Sequence, residues 1–188
     1  MKLKKPIKLI GCLPQADADF FKKTLEQAYP SDWLVDTSRQ DTWEAHRQTQ
    51  SIVLVSGVNF NSRKLSNQWT GFWRSEFQSR LMPFLTSTYG QGEIVRCVFS
   101  KLLPMSTISE HRDTEHLLHY SHRVHIPITT HPKVEFTINN ETVHLKEGEV
   151  YEISNQDLHS VKSDWDRPRI HIILDYAEDR FKDILTND

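Results

Sequence analysis

The chain has 188 residues, 37% of them hydrophobic, and a formal net charge of -2. That length is enough to bury a substantial core and is most simply read as one domain. With a pI near 6.5 and a mean hydropathy of -0.57, the balance gives no reason to expect nucleic-acid or membrane partners.

The basic start, Met1 to Ile10, lacks the apolar core and cleavage site of a signal peptide, and no apolar run reaches the ~20 residues of a membrane span. Cys12 and Cys97 are the only cysteines, which is no disulfide framework. A cytoplasmic location is expected. Asp17 or Asp19 suits the cap of a helix through residues 20–28, with Phe20, Phe21, Leu25 and Ala28 on one face and Pro30 as its stop. Residues 31–50 read as loop with a helical turn near Trp43, and Ser51–Val55 as a short buried strand. Residues 57–70 read as loop. From Phe72 to about Ser87, the stripe Phe72, Trp73, Phe77, Leu81, Phe84 and Leu85 predicts a helix backing a sheet, with a kink or break at Pro83.

After Gly90 and Gly92 the pattern becomes β. Strands are expected over 93–103, 118–128, 133–138, 142–145, 149–153, 160–163 and 168–176, with turns at Asn139-Asn140 and at Lys146-Glu147-Gly148. Short strands and tight turns, after two N-terminal helices, predict a sandwich or barrel with helices outside. The expected organisation is a single domain over 1–188, helices of about 16–88 packing on a β-barrel of about 93–176.

Nine of the ten histidines lie between 111 and 171; only His46 is elsewhere. His111 and Asp113 are two apart, which in extended backbone aims both side chains at one point. Two imidazoles and a carboxylate on one face of an octahedron form the facial triad of non-haem Fe(II) oxygenases. His159, from a later strand folded back beside the first, is the candidate third ligand. Arg169 opens the last apolar strand, and period two puts Arg169, His171 and Ile173 on one face. If it sits on the antiparallel neighbour of the His159 strand, its planar fork can grip a carboxylate in the same cavity. The bland alternatives are a solvated turn for His-x-Asp and a surface pair with Asp164 or Asp166 for Arg169. Periodicity alone leaves them open.

The pieces His111-Arg112-Asp113, Arg123-Val124-His125-Ile126-Pro127, Glu147-Gly148-Glu149, His159, and Arg169 with Ile172-Ile173-Leu174-Asp175-Tyr176 resemble the aspartyl/asparaginyl β-hydroxylase family of Fe(II)- and 2-oxoglutarate-dependent dioxygenases. The resemblance implies a mainly β fold with flanking helices around a double-stranded β-helix (jelly-roll, cupin-like). It implies iron held by His111, Asp113 and His159. Arg169 and His125 would bind the carboxylate end of 2-oxoglutarate, with Ser100 beside them, and Arg123 would approach the substrate. The implied partners are 2-oxoglutarate, dioxygen and an amino acid, free or as an Asp/Asn-like residue of a peptide or protein. The animal aspartyl branch has glycine where this chain has Asp113, so the full triad is kept here.

The competing reading is a cupin-like protein that binds metal or a small carboxylate without oxidising anything. A structural zinc domain fits poorly, since neither cysteine joins the cluster. His116, His119 and His122 read as surface or lid residues, His131 and His144 as structural, and His171 as a candidate for the pocket lining. Trp69, Trp73 and Trp165 are candidates for a substrate rim.

Overall fold

A computed structural model describes residues 5–57, 64–65, 70–113 and 115–186. In chain order it runs β1 (Ile7–Cys12), α1 (Gln15–Glu26), a 3-10 turn at Pro30–Leu34, α2 (Ser38–Thr42), a 3-10 turn at Glu44–His46, β2 (Thr49–Ser56), β3 (Lys64–Leu65) and α3 (Thr70–Phe72). A π-helical turn at Trp73–Phe77 leads into α4 (Gln78–Tyr89). There follow β4 (Gly92–Leu102), β5 (Thr107–His111), a 3-10 turn at His116–His119, β6 (Ser121–Thr129), β7 (Val134–Ile138), β8 (Glu141–Val143), β9 (Glu149–Ile153), β10 (His159–Ser163), β11 (Arg169–Glu178), a 3-10 turn at Asp179–Phe181 and α5 (Lys182–Thr186).

The strands make two antiparallel sheets. The larger has the order β1-β9-β6-β11-β4-β2-β3 and the smaller β5-β10-β7-β8. Together they form a jelly-roll core. Alternation decides what each face of the large sheet does. Ile170, Ile172, Leu174 and Tyr176 of β11 join Val124 and Ile126 of β6 and Ile52 and Leu54 of β2 in a core shared with Phe21 and Leu25 of α1 and Phe77, Leu81 and Leu85 of the second helical segment. A second apolar cluster, with Leu102, Ile108, Phe136, Ile138, Tyr151 and Val161, draws on both sheets. The opposite face of β11 carries Arg169, His171, Ile173 and Asp175, with Leu102 of the second cluster directly across from Arg169.

Several expectations shift. Helix α1 starts at Gln15, after Pro14, with no side-chain cap; proline before the first turn forfeits no needed donor, and Asp17 and Asp19 lie inside the helix. The helix through Pro83 is unbroken; the departure from α geometry is the π turn upstream. Leu117 and Leu118 belong to a 3-10 turn, and β6 begins only at Ser121. Strands β1, β3 and β5 are additional: Lys8 on β1 and the polar run of β5 hide both from a hydrophobic scan, and the two-residue β3 lies in the stretch expected as loop over 57–70. The Asn139-Asn140 turn has φ of 46° and 67°, the left-handed pair that a tight hairpin demands. The rest of the loop expected over 57–70, residues 58–63 and 66–69, lies outside the described residues, as do Trp69 and the side chain of Trp73.

Candidate metal and carboxylate site

His111 ends β5 and His159 begins β10, and the two are register partners. Their rings lie 4.3 Å apart, centre to centre. Asp113 follows β5 and is anchored by its own backbone, its N–H donating to the Asn155 carbonyl at 3.0 Å. Asp113 Oδ1 lies 3.9 Å from His111 Nε2 and Oδ2 lies 3.8 Å from His159 Nε2. One ligand atom from each of the three falls within 4.8 Å of the others.

Both imidazoles are oriented in the same way. His111 Nδ1 donates to the Ser109 carbonyl at 2.8 Å and His159 Nδ1 to the Asp157 carbonyl at 2.9 Å. With the proton on Nδ1, each Nε2 lone pair is free for a metal. Burial, outweighing the neighbouring Asp113, lowers the pKa of His159 and keeps it neutral. For Asp113 burial opposes ionisation, but Arg123, His159, His111 and Arg39 together outweigh it and pull the carboxyl below its usual range. The donor set is thus two imidazoles that each present Nε2 and one ionised carboxylate, the chemistry a divalent metal requires.

Arg123 does not reach freely into the cavity. Its Nε and Nη2 grip both oxygens of Asp175 at 2.9 Å, and Nη1 donates to Asp113 Oδ2. This fork positions the ligand carboxylate. Asp175, fully buried on β11, is the counter-charge that sequence reading left without a role.

Arg169 is not on a strand beside His159. Strand β10 pairs with β5 and β7, whereas β11 pairs with β4 and β6, so the two residues belong to opposite sheets. A line of rings connects them: His159 stacks on Phe136, Phe136 meets His125, and His125 meets His171, each pair about 6 Å apart. His171 Nδ1 then accepts from Arg169 Nη2 at 2.7 Å. Arg169 is 2% exposed, and no ion pair with Asp164 or Asp166 is formed. Its Nε and Nη1, with His171 Nε2 and His125 Nδ1, have no hydrogen-bond partner. Burial, then Arg39, pushes the guanidinium down to about 9, as expected of a cation short of a counter-ion. Ser100 is buried on β4, directly across from His171.

A cavity of about 650 Å³ opens beside Asp113 and His111, with Val53, Val98 and Ile173 among its apolar lining and Arg39, His46 and Trp43 from the N-terminal segment. None of these last three has a site role in the sequence analysis. His46 is buried, its ring 5.1 Å from that of His111, and burial with Arg39 and His111 pushes it down to about 3. Only its being the isolated tenth histidine could have drawn attention to it.

Of the other histidines, His122 is buried between Glu152 (2.6 Å) and Glu178 (3.2 Å), so it is neither surface nor lid. His116 and His119 are exposed on their turn. His144 Nδ1 meets the Val134 carbonyl. His131 stacks on Trp165, which packs against the second apolar cluster and not on the cavity.

A family model described as aspartyl/asparaginyl beta-hydroxylase matches residues 67–179. No curated protein matches the chain. Among solved structures, an oxidoreductase of the 2OG-Fe(II) oxygenase family from Burkholderia pseudomallei is similar over 69% of this chain and 67% of its own, at 18% identity and a TM-score of 0.54. The non-haem monooxygenase ThoJ, in complex with nickel, is similar over 92% of this chain and 74% of its own, at 14% identity and a TM-score of 0.59. At such identities the likeness speaks for the fold.

Proposed function

Because this chain belongs to the aspartyl/asparaginyl β-hydroxylase family, we propose that it is an Fe(II)- and 2-oxoglutarate-dependent dioxygenase. Its substrate on this reading is an amino acid, free or as an Asp/Asn-like residue of a peptide or protein. The observation that carries the reading is the pairing of two features: a His, His, carboxylate trio with ligand atoms within 4.8 Å, and a buried guanidinium with unspent donors across the sandwich.

Both features fit the groups they would hold. His111, Asp113 and His159 would hold Fe(II). Arg169 Nε and Nη1, with His171 Nε2, would satisfy the far carboxylate of 2-oxoglutarate, with His125 and Ser100 beside it. Bound together, iron and 2-oxoglutarate would supply the oxidising power by which dioxygen hydroxylates a C–H bond, with release of succinate and carbon dioxide.

The remaining work belongs to the chain. Ser109 and Asp157 fix the imidazole tautomers through their carbonyls. The Asn155 carbonyl holds the Asp113 backbone, and Arg123, itself held by Asp175, sets the angle of the Asp113 carboxylate. Val53, Val98 and Ile173 give the cavity an apolar lining where a C–H bond could lie with water excluded. The test is release of succinate from 2-oxoglutarate under air with Fe(II), measured with and without amino-acid and peptide candidates. Oxygen-dependent succinate that vanishes on metal removal is the expected result. Tight metal binding with no succinate under any condition would favour a binding protein instead.

A further inference from the structure

Four arginines line the cavity, Arg39, Arg96, Arg112 and Arg123; Arg112 is exposed on the loop after β5, and the other three differ in how their charge is met. Arg123 is neutralised by Asp175 and Asp113. Arg96 donates to Glu115 and lies 3.9 Å from Asp175. Arg39 on α2 has neutral partners only. Its Nη1 donates to Ser51 Oγ at 3.5 Å and its Nη2 to His46 Nε2 at 3.3 Å. Among the described residues no carboxylate lies within the 4.0 Å of an ion pair from it.

This guanidinium is held in place and not waving in solvent. His46 receives it on one side while packing against the His111 ring on the other, and Ser51 is buried. The cavity lining also includes Val53, Val98, Ile173 and the exposed Trp43. The cavity therefore brings together a guanidinium with no carboxylate in ion-pair reach, apolar side chains and the Asp113 side of the trio. A molecule complementary to it carries an oxyanion at one end and a C–H bond at the other.

From this juxtaposition we propose that Arg39 is the residue that grips an oxyanionic group of the substrate, carboxylate or phosphate, and so decides the substrate class. The proposal rests on the oxygenase reading of the neighbouring trio. It also relocates recognition: Arg123, the sequence candidate for this role, is already occupied by acids. Arg39, Trp43 and His46 all precede residue 67, where the family match begins. Selectivity would then reside in a part of the chain outside the family match.

The test uses the full chain, loaded anaerobically with Mn(II) and 2-oxoglutarate, and titrated calorimetrically with L-aspartate, O-phospho-L-serine and L-asparagine. Each ligand is offered free and with its termini capped by acetyl and amide. The wild type is expected to bind one acidic ligand about tenfold or more tightly than asparagine, and the aspartate and phosphoserine arms identify the anion. Arg39→Gln should lose that preference at unchanged 2-oxoglutarate affinity, and Arg39→Lys should keep part of it. Three outcomes overturn the proposal: no acid preferred by the wild type, the preference retained in Arg39→Gln, or 2-oxoglutarate affinity lost in Arg39→Gln, which would assign the arginine to the cosubstrate. Substrate-free succinate release by the wild type, measured in parallel, judges the oxygenase reading separately from these binding results.

Discussion

Replacing Arg169 by methionine should make the ligand-free protein more stable while destroying its response to a dicarboxylate. The guanidinium is 2% exposed, and two of its nitrogens have no partner. Unmet buried donors cost about 1–3 kcal/mol each. An independent route gives a similar size: burial lowers the group from 12.5 to about 9, which corresponds to about 5 kcal/mol against the folded state at neutral pH. The sign follows from the direction. A base whose folded pKa is depressed destabilises the fold wherever the unfolded chain still binds the proton, so the penalty is complete below about pH 9. Methionine has similar length and no donors, but it strands His171 Nδ1, which returns about 1–3 kcal/mol of the gain. The expected net stabilisation is about 2–3 kcal/mol, a rise of about 1 M in the urea midpoint. Glutarate, which offers the far carboxylate without the keto acid, should raise the wild-type midpoint in metal-free protein and leave Arg169→Met unmoved. A methionine variant less stable than wild type would refute the reasoning, because it would mean that the guanidinium is already satisfied.

Three further outcomes are expected. Asp113→Ala should weaken Fe(II) or Mn(II) binding by about a hundredfold or more and reduce succinate release in step; near-normal turnover would remove Asp113 from the ligand set. Asp175→Asn leaves Arg123 with Asp113 alone, so urea titration should show a loss of about 3 kcal/mol. Metal titration of the same variant should show weaker affinity, as Arg123 competes harder for the ligand carboxylate. His46, with its folded pKa near 3 and an unfolded value near 6.5, contributes stability that is whole above pH 6.5 and lost as pH falls. Between pH 7 and pH 5 the wild type should lose about 2 kcal/mol more than His46→Asn, read from denaturation midpoints; equal pH slopes for the two proteins would contradict the assigned burial.

What could be read in the sequence was whatever depends on short periods. His111 and Asp113, two apart at a strand end, and the alternation of Arg169, His171 and Ile173 against Ile170, Ile172 and Leu174 are local facts, and the structure aims those side chains as the spacing implies. The pairing of sheets is not local. The spacing of His159 and Arg169 suggests adjacent strands, yet Trp165 and its neighbours carry the chain from one sheet to the other. Strand β5, which carries His111, is too short and polar to announce itself. Arg39 and His46 lie in a polar stretch with no period at all, and only the folding of α2 over β2 brings them to the trio. The same holds for Asp175: its charge means nothing until Arg123 is seen in register with it on β6.

The three residues with ligand atoms in common reach all ride on or beside the four-stranded sheet, whereas Arg169 belongs to the seven-stranded one. A small dicarboxylate spanning both would act as a removable rivet between two plates. Loading it should quiet the breathing of the sandwich, so that amide protons of β5, β10 and β11 slow their exchange together.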